Sequence, residues 1–75
     1  MTLHNLFDVF ENNNLIQIVD RQYKVLGYGL TWALGLNRGY LMGKNVLSVG
    51  MGLNFSTDET YIRIVLDVSE EELFK

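Results

Sequence analysis

Hydrophobic and polar residues alternate most regularly in the last third of the chain, where they predict a β-hairpin from about Asn45 to Val68. The apolar positions are Leu47, Val49, Met51, Leu53 and Phe55 in the first strand and Ile62, Ile64, Leu66 and Val68 in the second. Because side chains switch faces at every residue, both rows share a core face only if opposed residue numbers add up to an odd number.

A four-residue loop, Ser56–Glu59, satisfies this condition and sets the predicted register. The apolar pairs that follow are Leu53–Ile62, Met51–Ile64 and Val49–Leu66. On the opposite face the pairs are Gly52–Arg63 and Gly50–Val65. The hairpin therefore predicts one core face and a second face that carries two glycines.

The first third of the chain predicts a helix followed by a strand. Thr2 is a suitable N-cap, and an apolar stripe follows it at helical spacing: Leu3, Leu6, Phe7 and Phe10. Asn12–Asn14 is expected to end this helix. The strand, Leu15–Val19, is apolar on both faces except at Gln17, which is typical of a central strand or of one covered on both sides.

The middle third predicts a return strand and a second helix. Asp20–Gln22 is the expected turn, and it is a loose one because no Asn-Gly or Asp-Gly pair is present. Tyr23–Leu26 is the return strand, ended by Gly27 and Gly29. Thr31 is the predicted cap of a helix from Trp32 to about Arg38, with Leu30, Leu34 and Leu36 as its apolar contacts.

The end of the chain has capping-box spacing at Ser69 and Glu72, which predicts a helical turn over Ser69–Phe74. The whole pattern predicts one α+β domain over residues 1–75. Its elements follow the order α-β-β-α-β-β plus this terminal turn. The expected architecture is an antiparallel sheet of three to four strands with helices packed on it.

Composition narrows the class of protein. The chain has 75 residues, 48% of them hydrophobic, with no cysteine and no proline. Disulfides and thiolate metal sites are thus excluded, and a cytoplasmic location is expected. The net charge of −3 and the scattered cations argue against nucleic-acid binding. No uncharged run reaches the roughly 20 residues of a membrane helix, so no membrane partner is expected.

Motifs for chemistry fail at defining positions. Gly27-x-Gly29 would need a third glycine where Trp32 stands, which removes the dinucleotide reading. A phosphate-binding loop before Lys44 would need glycine in place of Arg38. His4 is the only histidine, and it is expected to be exposed to solvent. We therefore predict no catalytic residue, no metal site and no cofactor.

Two groups of residues are candidates for binding. Tyr23, Tyr28, Trp32 and Tyr40 cluster in the middle third; core packing is the first interpretation, a protein interface the second and nucleic-acid stacking the third. The second hairpin face is the candidate protein interface, formed by Gly50, Gly52, Tyr61, Arg63 and Val65. For its two glycines, close packing by a helix or by an aromatic ring such as that of Tyr61 is the first interpretation, and a groove for the backbone of a partner is the second.

Five short patterns spread over most of the chain carry a resemblance to a known group of proteins. They are Leu3-x-x-Leu6-Phe7, Ile16-x-Ile18, Gly27-x-Gly29, Val46-x-Ser48-x-Gly50 and Ile62-x-Ile64. In these the chain resembles small uncharacterised phage or prophage α+β proteins of Gram-positive bacteria. The resemblance implies an accessory protein that acts by binding and not by chemistry.

Three functions follow in order of preference. The first is a non-enzymatic protein-protein interaction module whose partner is another protein or a second copy of itself. The second is an acidic inhibitor that occupies the nucleic-acid-binding site of a host protein, since the chain is acidic. The third is a small enzyme, for which the sequence offers no catalytic group.

Overall fold

A computed structural model describes residues 1–10 and 13–69, which form a layer of helices on one side of a sheet. In chain order the elements are α1 (Leu3–Val9), β1 (Leu15–Val19), β2 (Val25–Leu30), α2 (Thr31–Asn37), a 3-10 turn (Gly39–Leu41), β3 (Val46–Asn54) and β4 (Glu59–Leu66). The sheet has the strand order β2-β1-β4-β3, so β2 and β3 are its edges.

The sheet is mixed, whereas the sequence predicted antiparallel pairing throughout. β1 is antiparallel to β2 but parallel to β4, with Ile16 opposite Ile62 and Ile18 opposite Ile64. The antiparallel prediction was wrong at this pair because β1 and β4 are distant in the chain, and no turn signal records their direction. The α+β class and the central position of β1 are confirmed, as is the order α-β-β-α-β-β within the described residues.

The core lies between the helices and the even-numbered face of β1 and β4. The apolar stripe of each helix packs on the isoleucine and leucine side chains that alternate along the strands. A two-layer domain buries its apolar faces in this way. The buried members are Leu3, Leu6, Ile16, Ile18, Leu34, Leu41, Ile64, Leu66 and Val68.

α1 begins as its sequence predicts, but it ends at Val9, with Phe10 extended, before the Asn12–Asn14 segment that was expected to end it. Thr2 is the N-cap, and its hydroxyl accepts a hydrogen bond from the backbone N–H of Asn5 at 3.3 Å. Leu3 and Leu6 are buried, and Phe7 and Phe10 pack partly buried against them. The cap satisfies a backbone donor that the first helical turn would leave unpaired.

α2 begins one residue earlier than predicted, and the strand before it is longer. Thr31 is not the cap but the first helical residue, and its hydroxyl donates to the carbonyl of Asn14 at 3.0 Å. β2 continues through both Gly27 and Gly29 and does not end there. A Cβ at Gly27 would lie 3.0 Å from Leu34 Cδ2, so this glycine lets α2 pack closely on the strand.

The β3–β4 hairpin has the predicted parity but a register shifted by two residues. The loop is residues 55–58, so Met51 lies opposite Ile62, where the sequence had placed Leu53. The predicted pairs of the glycines shift in the same way. The side chain of Asn54 sets the turn, because its Oδ1 accepts from the Ser56 N–H at 3.0 Å.

The apolar row of β3 was predicted to be buried, and this was wrong. Val49 and Met51 lie opposite the core residues Ile64 and Ile62, yet they are 50% and 70% exposed. The helices have seven residues each, about 10 Å of helix, whereas the nine residues of β3 extend about 30 Å. α2 packs on β2, at the opposite edge of the sheet, so the helical layer leaves most of β3 uncovered.

The predicted turn over Ser69–Phe74, with its capping box, lies outside the described residues except for Ser69. Between β1 and β2 the predicted loose turn is a loop over residues 20–24, in which Tyr23 has a φ of 63°.

Candidate protein interface

The face of the sheet opposite the helices holds a polar and aromatic network around Arg63. Arg63 and Gln17 are register partners on the parallel strands β4 and β1. The Arg63 guanidinium donates to Gln17 Oε1 and to the Tyr61 hydroxyl, both at 2.9 Å. Its carbon also lies 6.0 Å from the Tyr23 ring centroid, within the range of a cation–π contact.

Gly52 is covered by the ring of Tyr61, which lies directly opposite it on β4. A Cβ at Gly52 would overlap that ring, and it would lie 2.6 Å from the hydroxyl oxygen. The Tyr61 ring also meets Tyr28 edge to face, with 5.6 Å between their centroids. An aromatic ring over a strand glycine is one of the two packing explanations that the sequence offered for this face.

The predicted interface residues, which we call the Tyr61 face, are therefore largely engaged within the chain. Tyr61 and Val65 are buried at 8% and 7% exposure, and Arg63 is half-buried. Gly50 lies opposite Arg63, is exposed and has open space where a Cβ would stand. That the Tyr61 face is an interface stays a prediction, with Gly50 as its most accessible position.

The two glycines of β3 are expected to respond oppositely to alanine. Gly52→Ala should lower the free energy of unfolding by about 1–2 kcal/mol, because the new methyl group displaces the Tyr61 ring and strains its bond to Arg63. Gly50→Ala should be neutral or stabilise by up to about 1 kcal/mol, since nothing opposes its Cβ. Urea unfolding of both variants tests this; equal effects would contradict the packing of Tyr61 on Gly52.

A second surface, on the helix side of the sheet, was missed by the sequence reasoning. Five apolar residues of β3 and its loop are between 40% and 89% exposed. They are Leu47, Val49, Met51, Leu53 and Phe55. We call these five residues, together with the free edge of β3, the β3 surface. Alternation had assigned this row to the core. No sequence signal distinguishes this row from a buried one, because an uncharged stretch such as Asn45 to Thr57 is equally typical of a core strand.

The edge of β3 is open over most of its length. Only its start is paired on the outer side, where Thr2 bridges Asn45 and Val46 N–H donates to the Met1 carbonyl at 2.8 Å. In the part of the chain that the structure describes, no strand follows β3 on that side. Every second residue of an edge strand directs its N–H and C=O outward. Charged residues, prolines and bulges usually protect such edges from pairing with another strand. β3 has one irregularity, between Val46 and Ser48, and from Ser48 to Asn54 it has no charged residue, proline or further bulge.

The aromatic cluster of the middle third does not pack in the core as its first interpretation held. Tyr23, Tyr28, Trp32 and Tyr40 are between 42% and 65% exposed. His4 is exposed as predicted, and its Nε2 lies 3.7 Å from a carboxylate oxygen of Asp8 one turn later in α1. These four aromatic residues are dispersed over β2, α2, the loop at residues 20–24 and the 3-10 turn. They do not form one site with the β3 surface.

The described residues, 1–10 and 13–69, contain no group of three or more His, Cys, Asp or Glu side chains placed to hold a metal ion. Within the same residues, no helix is long and apolar enough to cross a membrane. No family model, curated protein or solved structure matches the chain. The resemblance to phage and prophage proteins therefore stays a prediction, and the function has to be argued from the geometry.

Proposed function

We propose that this chain is a non-enzymatic protein-binding module and that it binds through the β3 surface. The observation that carries the proposal is the coincidence, on one edge strand, of an exposed apolar row and an unpaired backbone edge. Val49, Met51 and Leu53 supply the centre of that row. Either feature alone is common at protein surfaces, but a folded chain rarely leaves both on the same strand.

The size of the apolar row supports this proposal. From the exposed fractions, its five residues present about 600 Å² of surface, at the upper limit of what monomeric proteins commonly expose in one patch. The free edge adds backbone hydrogen bonds for a strand laid beside β3, and the side chains of the row give that strand its register. This is the strand-addition mode of protein recognition.

The acidic inhibitor is the second candidate, and salt dependence distinguishes it. Binding through the β3 surface buries apolar groups, so it should persist or strengthen at high salt. An inhibitor that mimics nucleic acid depends on its negative charge, so its binding should weaken steeply as salt rises. A cytoplasmic location and an accessory role in a phage or prophage complete the proposal, and both rest on the sequence patterns.

Two neighbouring substitutions test which face of β3 binds. Met51→Glu places a charge in the β3 surface, whereas Gly50→Glu places one on the opposite Tyr61 face of the same strand. Both positions are exposed, so both variants should fold, with circular dichroism as the check. We expect affinity capture from the source cell to recover the same binding proteins with wild type and Gly50→Glu, and to lose them with Met51→Glu.

Three results would contradict the proposal. Capture unchanged by Met51→Glu would remove the β3 surface as the binding site. Capture lost with Gly50→Glu alone would transfer it to the Tyr61 face. Capture that disappears in high salt with the wild-type chain would favour the acidic inhibitor.

A further inference from the structure

We propose that the β3 surface binds a second copy of this chain, edge to edge and antiparallel, with the two-fold axis at Met51. This inference rests on the proposed function and names its partner. The two sheets would join through their β3 strands into one continuous sheet of eight strands. Each copy would contribute the same residues, as a two-fold interface requires.

The position of the axis follows from the part of the edge that is free. At one end the edge is closed by the bridge between Thr2 and Asn45. At the other end it stops at the hairpin loop, whose first residue is Phe55. Beyond the irregularity after Val46, the regular free stretch therefore runs from Ser48 to Asn54, and its middle residue is Met51. Pairing about that residue uses all of this stretch in both copies.

The apolar row is complementary to itself in this arrangement. In an antiparallel pair about Met51, opposed residue numbers add up to 102, so each odd-numbered residue meets another odd-numbered residue on the same face. The apolar pairs across the interface are Met51 with Met51 and Val49 with Leu53, the latter twice by symmetry. On the other face Gly50 meets Gly52 and Ser48 meets Asn54, so the row of Met51 supplies the apolar contacts of the interface.

Charge and area are compatible with a second copy. Each chain carries a net charge of −3, which disfavours self-association, but the edge from Leu47 to Phe55 has no charged residue. The local repulsion is therefore small, and it is screened at physiological salt. Edge-to-edge pairing covers only part of the about 600 Å² that each copy exposes, so the interface would bury less than about 1,200 Å², in the range of weak and transient complexes. A reversible, concentration-dependent dimer is the expected result.

Two variants that carry opposite charges at position 51 test the two-fold axis directly. Sedimentation velocity should show the wild type passing from the mass of one chain to that of two as concentration rises. Met51→Glu and Met51→Lys should each weaken this association at least about tenfold, because like charges meet at the axis. An equimolar mixture of the two variants should recover the two-chain mass, since opposite charges then meet.

Val25→Glu is the matched control, because Val25 is an exposed apolar residue on the other edge strand, β2, with 56% exposure. This variant should dimerise like the wild type. A wild-type chain that stays monomeric at every concentration overturns the proposal, as does a mixture of Met51→Glu and Met51→Lys that fails to associate. Dissociation by Val25→Glu but not by Met51→Glu would overturn it too, by assigning the contact to β2.

Failure of this inference can be separated from failure of the proposed function. If the wild type is monomeric but Met51→Glu still abolishes capture, the β3 surface binds a different protein and only the second copy is excluded. If the wild type is monomeric and Met51→Glu leaves capture unchanged, both are wrong.

Discussion

Ile64→Ala is expected to lower the free energy of unfolding by about 2–5 kcal/mol, the range for truncating a buried isoleucine to alanine. Ile64 is fully buried in β4, between Ile18 of β1 and Val49 of β3, and it belongs to the core under the helices. A domain of this size has a total stability of only about 4–11 kcal/mol. The variant should therefore be largely unfolded under conditions in which the wild type is folded.

Urea unfolding followed by circular dichroism measures this effect. Ile64→Val removes one methyl group and should cost about 0.5–1.5 kcal/mol. This smaller loss gives a scale for the effect of Ile64→Ala at the same position. Leu36→Ala is the exposed control: Leu36 is 77% exposed, so its truncation should change stability by less than about 0.5 kcal/mol. A cost below about 1 kcal/mol for Ile64→Ala would show that β4 does not lie at the centre of the core.

Asp20→Ala is expected to have the second-largest effect, a loss of about 2–3 kcal/mol. Asp20 is only 1% exposed, and one carboxylate oxygen accepts the backbone N–H groups of Gln22 and Lys24 at 2.8 and 2.9 Å. These bonds hold the loop over residues 20–24, in which Tyr23 has positive φ. Truncation leaves two donors without their acceptor in a part-buried site and frees the loop.

Asp20→Asn is the matched control, because the amide oxygen can accept the same two bonds while the charge is removed. It should recover most of the stability that Asp20→Ala loses. Thermal unfolding of the three proteins at one pH compares them. Equal losses in both variants would mean that the charge of Asp20, and not its acceptor oxygen, stabilises the loop.

The sequence predicts well which helices and strands form and on which face of a strand each side chain lies, because both depend on only a few neighbouring residues. α1 with its Thr2 cap, β1 over Leu15–Val19 and the hairpin of β3 and β4 are all observed. The parity of the hairpin is also correct. Its register is not, because a slip of two residues leaves every side chain on its original face, and hydrophobic alternation does not distinguish the two arrangements. The side chain of Asn54 decides between them.

What the sequence does not predict depends on contacts between distant segments. The parallel pairing of β1 with β4 has no local signal. The same is true of the extent of the helical layer, which decides that Ile64 is buried while Val49, directly opposite, is half exposed. Alternation identifies an apolar row, but only the tertiary arrangement shows whether anything covers it. The candidate site was missed for this reason.

Amide hydrogen exchange across β3 tests the central claim most directly, because it reports on the free edge of the strand itself. If a second copy pairs with this edge, the amides from Ser48 to Asn54 should all be protected at high protein concentration. On dilution, every second one should lose protection, as expected of an edge strand with one neighbour. Alternating protection at all concentrations would contradict the claim that the β3 surface is where this protein binds its own copy.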